Sequence, residues 1–91
     1  MSLKWSANAE RDLARLYDFL APVNQRAAAQ VVQQLVTGAK QLLRHPQLGV
    51  SLGEFAPRDV RRLFVGAYEL RYELSGATIY VLRVWHVRED R

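Results

Sequence analysis

The chain has 91 residues, room for one domain (residues 1–91) around a single core, and at this size roughly 60–65% of the unfolded surface is buried on folding. It has no cysteine, which excludes a disulfide framework and a thiolate zinc site. No apolar run approaches the ~18 residues of a membrane span and no charged-then-apolar leader is visible, so a cytoplasmic protein is expected; a net charge of +4 permits an acidic partner without requiring nucleic acid.

Leu3-Lys4-Trp5 predicts a short strand with an aromatic suited to a half-buried edge. Ser6 or Asn8 can cap the helix that follows, and Glu10 and Asp12 fall in its first turns, where carboxylates complement the dipole. Ala9, Leu13, Leu16, Tyr17 and Leu20 recur at helical spacing, which predicts one buried face with Arg11, Arg15 and Asp18 toward water. Pro22 ends this helix. Asn24 is a cap for a second, longer one, whose stripe runs through Ala28, Val31, Val32, Leu35, Val36, Ala39, Leu42 and Leu43 until Pro46 stops it. So short a connection predicts an antiparallel helical hairpin.

Pro46 to Pro57 reads as a loop tied to the core by Leu48, Val50, Leu52 and Phe55. Three strands are predicted next, over Val60–Val65, Tyr68–Leu74 and Thr78–Val87, joined at Gly66-Ala67 and Ser75-Gly76. Alternation on the middle strand sets Tyr68, Leu70, Tyr72 and Leu74 on one face and Glu69, Arg71 and Glu73 on the other. The last strand is apolar on both faces (Ile79 and Val81 against Tyr80, Leu82 and Val84), which marks it as central or covered. The expected fold is α+β in the order strand, helix, helix, strand, strand, strand: a helical hairpin on one face of a mainly antiparallel sheet, the other face partly open.

The charge is distributed unevenly. Residues 1–45 carry six Lys/Arg against three acids, and residues 46–91 seven against six, all seven of the latter being arginine. Within the strands Arg61, Arg62, Arg71 and Arg83 are interleaved with Glu69 and Glu73, and the chain runs on through His86, Arg88, Glu89, Asp90 and Arg91. The stiff guanidinium fork suits directional pairing, either with an anionic partner or with the chain's own acids. His45 reads as a helix C-cap residue. His86, near Arg88, reads either as a general acid/base on a phosphodiester or as a structural residue bonded to backbone. Tyr68 and Tyr72 read as core aromatics in preference to a base-stacking platform. No Gly-rich phosphate loop, metal-ligand pair or spaced Ser/His/Asp set is present, and no cofactor or metal is expected.

Taken together, Trp5-Ser6, Ala9, Asp12-Leu13, Ala28, Leu42-Leu43, Pro46-Gln47-Leu48-Gly49, Val60-Arg61-Arg62-Leu63, Tyr68 to Leu74 and Ile79 to His86 resemble, in order and over nearly the whole chain, the RelE/ParE superfamily of toxins from type II toxin–antitoxin modules, and its ParE-like branch most. The resemblance implies a helical hairpin on an antiparallel sheet and a cognate antitoxin whose C-terminal segment wraps the toxin. It also implies either of two targets, since RelE-like branches cut mRNA and ParE-like branches inhibit DNA gyrase. RelE-type nucleases tend to carry arginine after the tyrosine that opens the penultimate strand, and a basic residue and a tyrosine beyond the last strand. Here Glu69 follows Tyr68, and no tyrosine follows Tyr80. A carboxylate would repel the scissile phosphate.

The expectation is therefore a gyrase inhibitor that acts by binding, without catalytic residues, with Arg61, Arg62, Arg71, His86 and Arg88 as target contacts. The antitoxin is expected against Leu13, Leu16, Tyr17, Arg83 and Trp85, adding a strand at the sheet edge or a helix on the apolar rim and pairing its acids with arginines. One alternative is a metal-independent, ribosome-dependent mRNA interferase with His86 as acid/base and Arg88, Arg62 and Arg61 on phosphate, the only reading that needs direct nucleic-acid binding. The other is a non-toxic homologue that titrates an antitoxin.

Overall fold

A computed structural model describes residues 1–89; the last two residues of the charged ending, Asp90 and Arg91, lie outside the described part. The elements are β1 (Ser2–Trp5), α1 (Ala7–Leu20), α2 (Gln25–Lys40), a 3₁₀ turn (Gln41–Leu43), β2 (Val50–Ser51), a second 3₁₀ turn (Gly53–Phe55), β3 (Asp59–Val65), β4 (Tyr68–Ser75) and β5 (Thr78–His86). The expected order is present, with the short strand β2 added inside the segment read as a loop. None of the described helices is long and apolar enough to cross a membrane.

Local chemistry sets the element ends. The Ser6 hydroxyl accepts from the Ala9 N–H at 3.0 Å, and the Asn24 side chain from the Ala27 N–H at 3.0 Å, so each helix starts on a side-chain cap. Both hairpins turn on a glycine with φ 58°, Gly66 and Gly76, followed by an alanine with negative φ, as type II′ turns require. The second turn is therefore Gly76-Ala77, one residue beyond the Ser75-Gly76 expected, because Ser75 still pairs with Thr78.

The strands form one sheet in the order β1-β5-β4-β3-β2, antiparallel except for β1 beside β5. The helical hairpin lies on one face. There Ala9, Leu16, Leu35, Ala39 and Leu42 pack with Leu70, Tyr72, Ile79, Val81 and Val84. Each fully buried Leu, Ile or Val side chain contributes about 1.5–3 kcal/mol relative to exposure. On the opposite, outer face the 3₁₀ turn at Gly53–Phe55 covers part of the sheet, with the Phe55 ring 5.6 Å from the Arg71 guanidinium.

Strict alternation along β5 fails at one place. Arg71 pairs with Arg83 and Tyr72 with Val81, so Leu82 is an extra residue, a β-bulge. The bulge corrects the sequence reading of Val84, which joins Ile79 and Val81 on the helix-facing side. Arg83 and Trp85 turn to the outer face.

The bulge lies where β1 runs out. β1 pairs with β5 only from Thr78 to Val81; from there Ser6 donates its N–H to the Val81 carbonyl at 3.0 Å and its hydroxyl to the Leu82 carbonyl at 2.9 Å. Beyond Leu82 the edge of β5 has no strand partner, and α1 supplies one. Asp12, 3% exposed, accepts from the Val84 N–H at 2.8 Å and from Arg83 at 2.8 and 3.1 Å. Arg15 donates to the Val84 carbonyl at 3.2 Å, to Asp12 at 3.2 Å, and to Glu89. A lone buried backbone donor costs about 1–3 kcal/mol, so Asp12 closes a real deficit.

Burial alone would raise the Asp12 pKa, but the bonds from Arg83, Val84 and Arg15 outweigh it and hold the carboxyl below its ordinary value. A folded-state pKa depressed below the unfolded 3.8 stabilises the fold above that pH, and the contribution vanishes as pH falls through the folded value. Asp12→Asn is expected to lose about 1.5–3 kcal/mol at neutral pH. The gap to wild type should hold from about pH 5 to 8 and close as pH falls below about 4. Urea denaturation across pH checks this, and a gap that does not narrow in acid would refute the assignment.

Candidate functional site

The register of the sheet lines up three arginines. Arg62 of β3 stands opposite Arg71 of β4, and Arg71 opposite Arg83 of β5, all on the outer face. At a strand spacing of about 4.8 Å the row spans roughly 10 Å. Like charges in directly opposed positions destabilise a sheet, so the row persists only with compensation.

That compensation is uneven. Arg83 is paired with Asp12, which holds it firmly protonated. Arg71 bonds Glu69 at 3.0 Å, and Glu69 is 1% exposed. Aromatic rings lie against the guanidinium groups: Trp85 at 4.8 Å from Arg71 and 5.2 Å from Arg83, and Phe64 at 5.4 Å from Arg62. Arg62 makes no ion pair among the described residues. The Nε–H groups of Arg62 and Arg71 are both buried without an acceptor there. Glu73 is already taken by Arg58 at 2.7 and 3.0 Å, a pairing that holds its pKa down.

Arg61 does not join the row. Adjacent to Arg62, it points to the opposite, helix-facing side, where it donates to the carbonyls of Gln47 at 3.3 Å and Gly49 at 3.0 Å and to Asp59 at 2.9 Å. Buried Tyr72, its cross-strand partner, completes the same clamp: its hydroxyl donates to the Pro46 carbonyl at 2.7 Å and accepts from the Gly49 N–H at 2.8 Å. A Cβ on Gly49 would lie 2.8 Å from that hydroxyl, so glycine is needed there. Arg61 thus anchors the segment before β2.

His86 also lies on the helix-facing side, paired across from Tyr68, with the two rings edge to face at 5.2 Å. Its Nδ1 accepts from the Arg88 N–H at 3.1 Å, and its own N–H donates to Glu89 at 2.8 Å. Burial, with the Glu89 charge adding to it, raises the Tyr68 pKa and keeps the phenol neutral. An open cleft of about 500 Å³ lies beside this corner, lined by Phe19, Leu20, Tyr68 and His86 together with the charged side chains of Arg15, Arg88 and Glu89. The five expected target contacts are therefore divided: Arg62 and Arg71 on the outer face, Arg61 and His86 on the other, and Arg88 exposed past the end of β5.

Among the residues expected to meet an antitoxin, Leu16 is buried, Leu13 packs against the core, and Trp85 is 7% exposed beneath Arg71 and Arg83. Tyr17 is half-buried, and Arg83 is engaged by Asp12. The residue that sequence reasoning missed is Asp12. Its signal was available, since Ala9, Asp12 and Leu16 fall on one helical stripe and are the buried residues of α1. No group of three or more His, Asp or Glu side chains among the described residues is arranged to hold a metal ion.

Comparison with known proteins places this geometry. Residues 3–91 match the model of a family described as the ParE toxin of the type II toxin–antitoxin system parDE. The chain is 36% identical over 87 residues to toxin RelE1 of Caulobacter vibrioides, covering 94% of this chain and 92% of that one. It is also similar to a solved chain of the chromosomal ParDE TA system from P. aeruginosa, with a TM-score of 0.80 at 28% identity over 94% of this chain and 95% of the other.

The two neighbouring arginines of β3 should behave oppositely when replaced. Arg61→Ala is expected to lower stability by about 1–3 kcal/mol, because it unties two backbone carbonyls and Asp59. Arg62→Met, which keeps the packing on Phe64 while removing one charge from the row, should leave the unfolding midpoint unchanged or raise it. Urea unfolding of the two variants checks this; a larger loss for Arg62→Met would refute it.

Proposed function

The chain belongs to the ParE toxin family of type II toxin–antitoxin systems, and on that premise we propose that it acts by binding DNA gyrase without chemistry of its own, and that a cognate antitoxin neutralises it. The observation that carries this reading is the separation of His86 from the arginine row by the sheet. Phosphodiester cleavage needs a general acid/base within hydrogen-bond reach of the reacting oxygen while cations hold the same phosphate. Here His86 lies on one face, sharing its cleft with Arg88 and with Arg15, which is already paired with Asp12 and Glu89, while the row of Arg62, Arg71 and Arg83 lies on the other. One nitrogen of His86 already accepts from Arg88, and a buried carboxylate, Glu69, sits beside the row as the partner of Arg71. Such a surface suits recognition of a protein. Arg62 and Arg71, half-buried neighbours on the outer face, are the proposed target contacts.

Purified toxin is expected to block gyrase supercoiling and to leave ribosome-bound mRNA intact. His86→Ala should keep that inhibition, whereas the double variant Arg62→Ala/Arg71→Ala should lose at least about tenfold, the scale of one charge-assisted contact. Message cleavage at a reproducible codon position, abolished in His86→Ala, would replace this reading with the interferase. Expression without antitoxin and without a growth defect would replace it with the titrating homologue.

A further inference from the structure

The cleft between the end of α1 and the corner where β4 begins and β5 ends lies apart from the arginine row. Buried Leu16 and half-buried Leu20 line it together with three rings, those of Phe19, Tyr68 and His86. Phe19 is 80% exposed, so one of these rings has almost nothing packed over it. A concave space of about 500 Å³, with an apolar body and a few polar side chains, has the size and make-up of a small-molecule site.

The polar groups at this cleft are spent unevenly. Arg15 and Glu89 neutralise one another, Arg15 is also held by Asp12 and the Val84 carbonyl, and the second Glu89 oxygen accepts from the His86 N–H. Three donors have no acceptor among the described residues: the Arg88 guanidinium, the Tyr68 hydroxyl and Nε2 of His86. Nδ1 of His86 already accepts from the Arg88 N–H, so the neutral ring carries its proton on Nε2. Burial keeps the Tyr68 phenol protonated. Unlike the Nε–H groups of Arg62 and Arg71, none of the three is buried out of reach of solvent. Donors left over beside apolar rings suit a ligand that brings acceptors on an aromatic body, and the one unpaired positive charge, Arg88, matches a single negative charge. A dianionic phosphate fits less well, because the Glu89 carboxylate shares the rim. We propose that this cleft binds a small aromatic monocarboxylate, its ring among Phe19, Tyr68 and His86 and its carboxylate held by Arg88 and the Tyr68 hydroxyl. Such a ligand would tie α1 to the end of β5 at the corner that Arg15 and Glu89 already join.

The test is a titration of the purified chain with naphthylacetate, followed through its backbone amide NMR signals. Saturable shifts are expected at residues 16–20, 68 and 86–89, with a Kd on the order of 0.1–1 mM and a higher unfolding midpoint when ligand is present. Neutral naphthylacetamide should bind at least about tenfold more weakly, and octanoate, which has the charge without the rings, at least about threefold. Arg88→Gln should weaken naphthylacetate at least about tenfold and Phe19→Ala at least about threefold. Arg44→Gln, a control beside Leu74 and Gly76 at the other end of β4, should stay within about twofold. Unfolding midpoints verify that each variant is folded. No saturable shift up to about 10 mM, or shifts confined to the outer face, would overturn the proposal. So would unchanged affinity in folded Arg88→Gln, or an amide or octanoate that binds as tightly as naphthylacetate.

Discussion

Nine residues of β5 lie beside a β1 of only four, and one carboxylate resolves the mismatch. Past Val81 the strand would show its backbone to solvent or to the underside of α1, an aggregation-prone edge in the first case and an unpaired donor in the second. Asp12 accepts the Val84 N–H, Arg15 covers the Val84 carbonyl, and Ser6 bridges the change from strand partner to helix partner. The extra residue at Leu82 belongs to this handover. By shifting the alternation of β5 one step it turns Val84 into the core and Arg83 and Trp85 out. Without it Arg83 would face the helices. The core and the outer-face row both follow from how α1 terminates the pairing of β5.

The row is locally unfavourable and well supported. Three like charges across adjacent strands oppose sheet formation, yet each guanidinium is held by something: Asp12 for Arg83, Glu69 and two rings for Arg71, Phe64 for Arg62. Support decreases from β5 toward β3, so unused donor capacity is concentrated at Arg62, beside exposed Val50 and Phe64. A local conflict retained in an otherwise consistent fold is where function is expected. Arg61, one residue away, shows the contrast: with the same side chain on the other face, its bonds to Asp59, Gln47 and Gly49 are structural.

What could be read from the sequence was local. Ser6 and Asn24 as caps, the two apolar helix stripes, and the glycines of both hairpins are set by residues within a few positions of one another, and the elements appear where those signals lie. What escaped depends on distant parts of the chain. The bulge at Leu82 is decided by where a strand some 75 residues earlier stops pairing. β2 has two residues and no periodicity to announce it. Grouping Arg61 with Arg62 followed charge and proximity along the chain, whereas a pleated strand sends adjacent side chains to opposite faces. Asp12 was legible as an acid on an apolar stripe, but its partners, Arg83 and Val84, were not.

Glu69 joins the chemical argument to the structural one. From the sequence, a carboxylate beside a phosphate-binding arginine is a poor element of a site that must stabilise growing negative charge. In the fold it is buried and serves as the counter-ion of Arg71, so removing it would strand a cation as well as relieve a repulsion. The same pairing suits reversible recognition. An arginine already held against an internal acid is oriented before its partner arrives, so less ordering is left to be done on binding. Catalysis would ask this row for unbalanced positive potential at a reacting atom. Binding asks only for directed donors next to apolar surface, and Arg62 and Arg71 between Phe64 and Trp85 supply both.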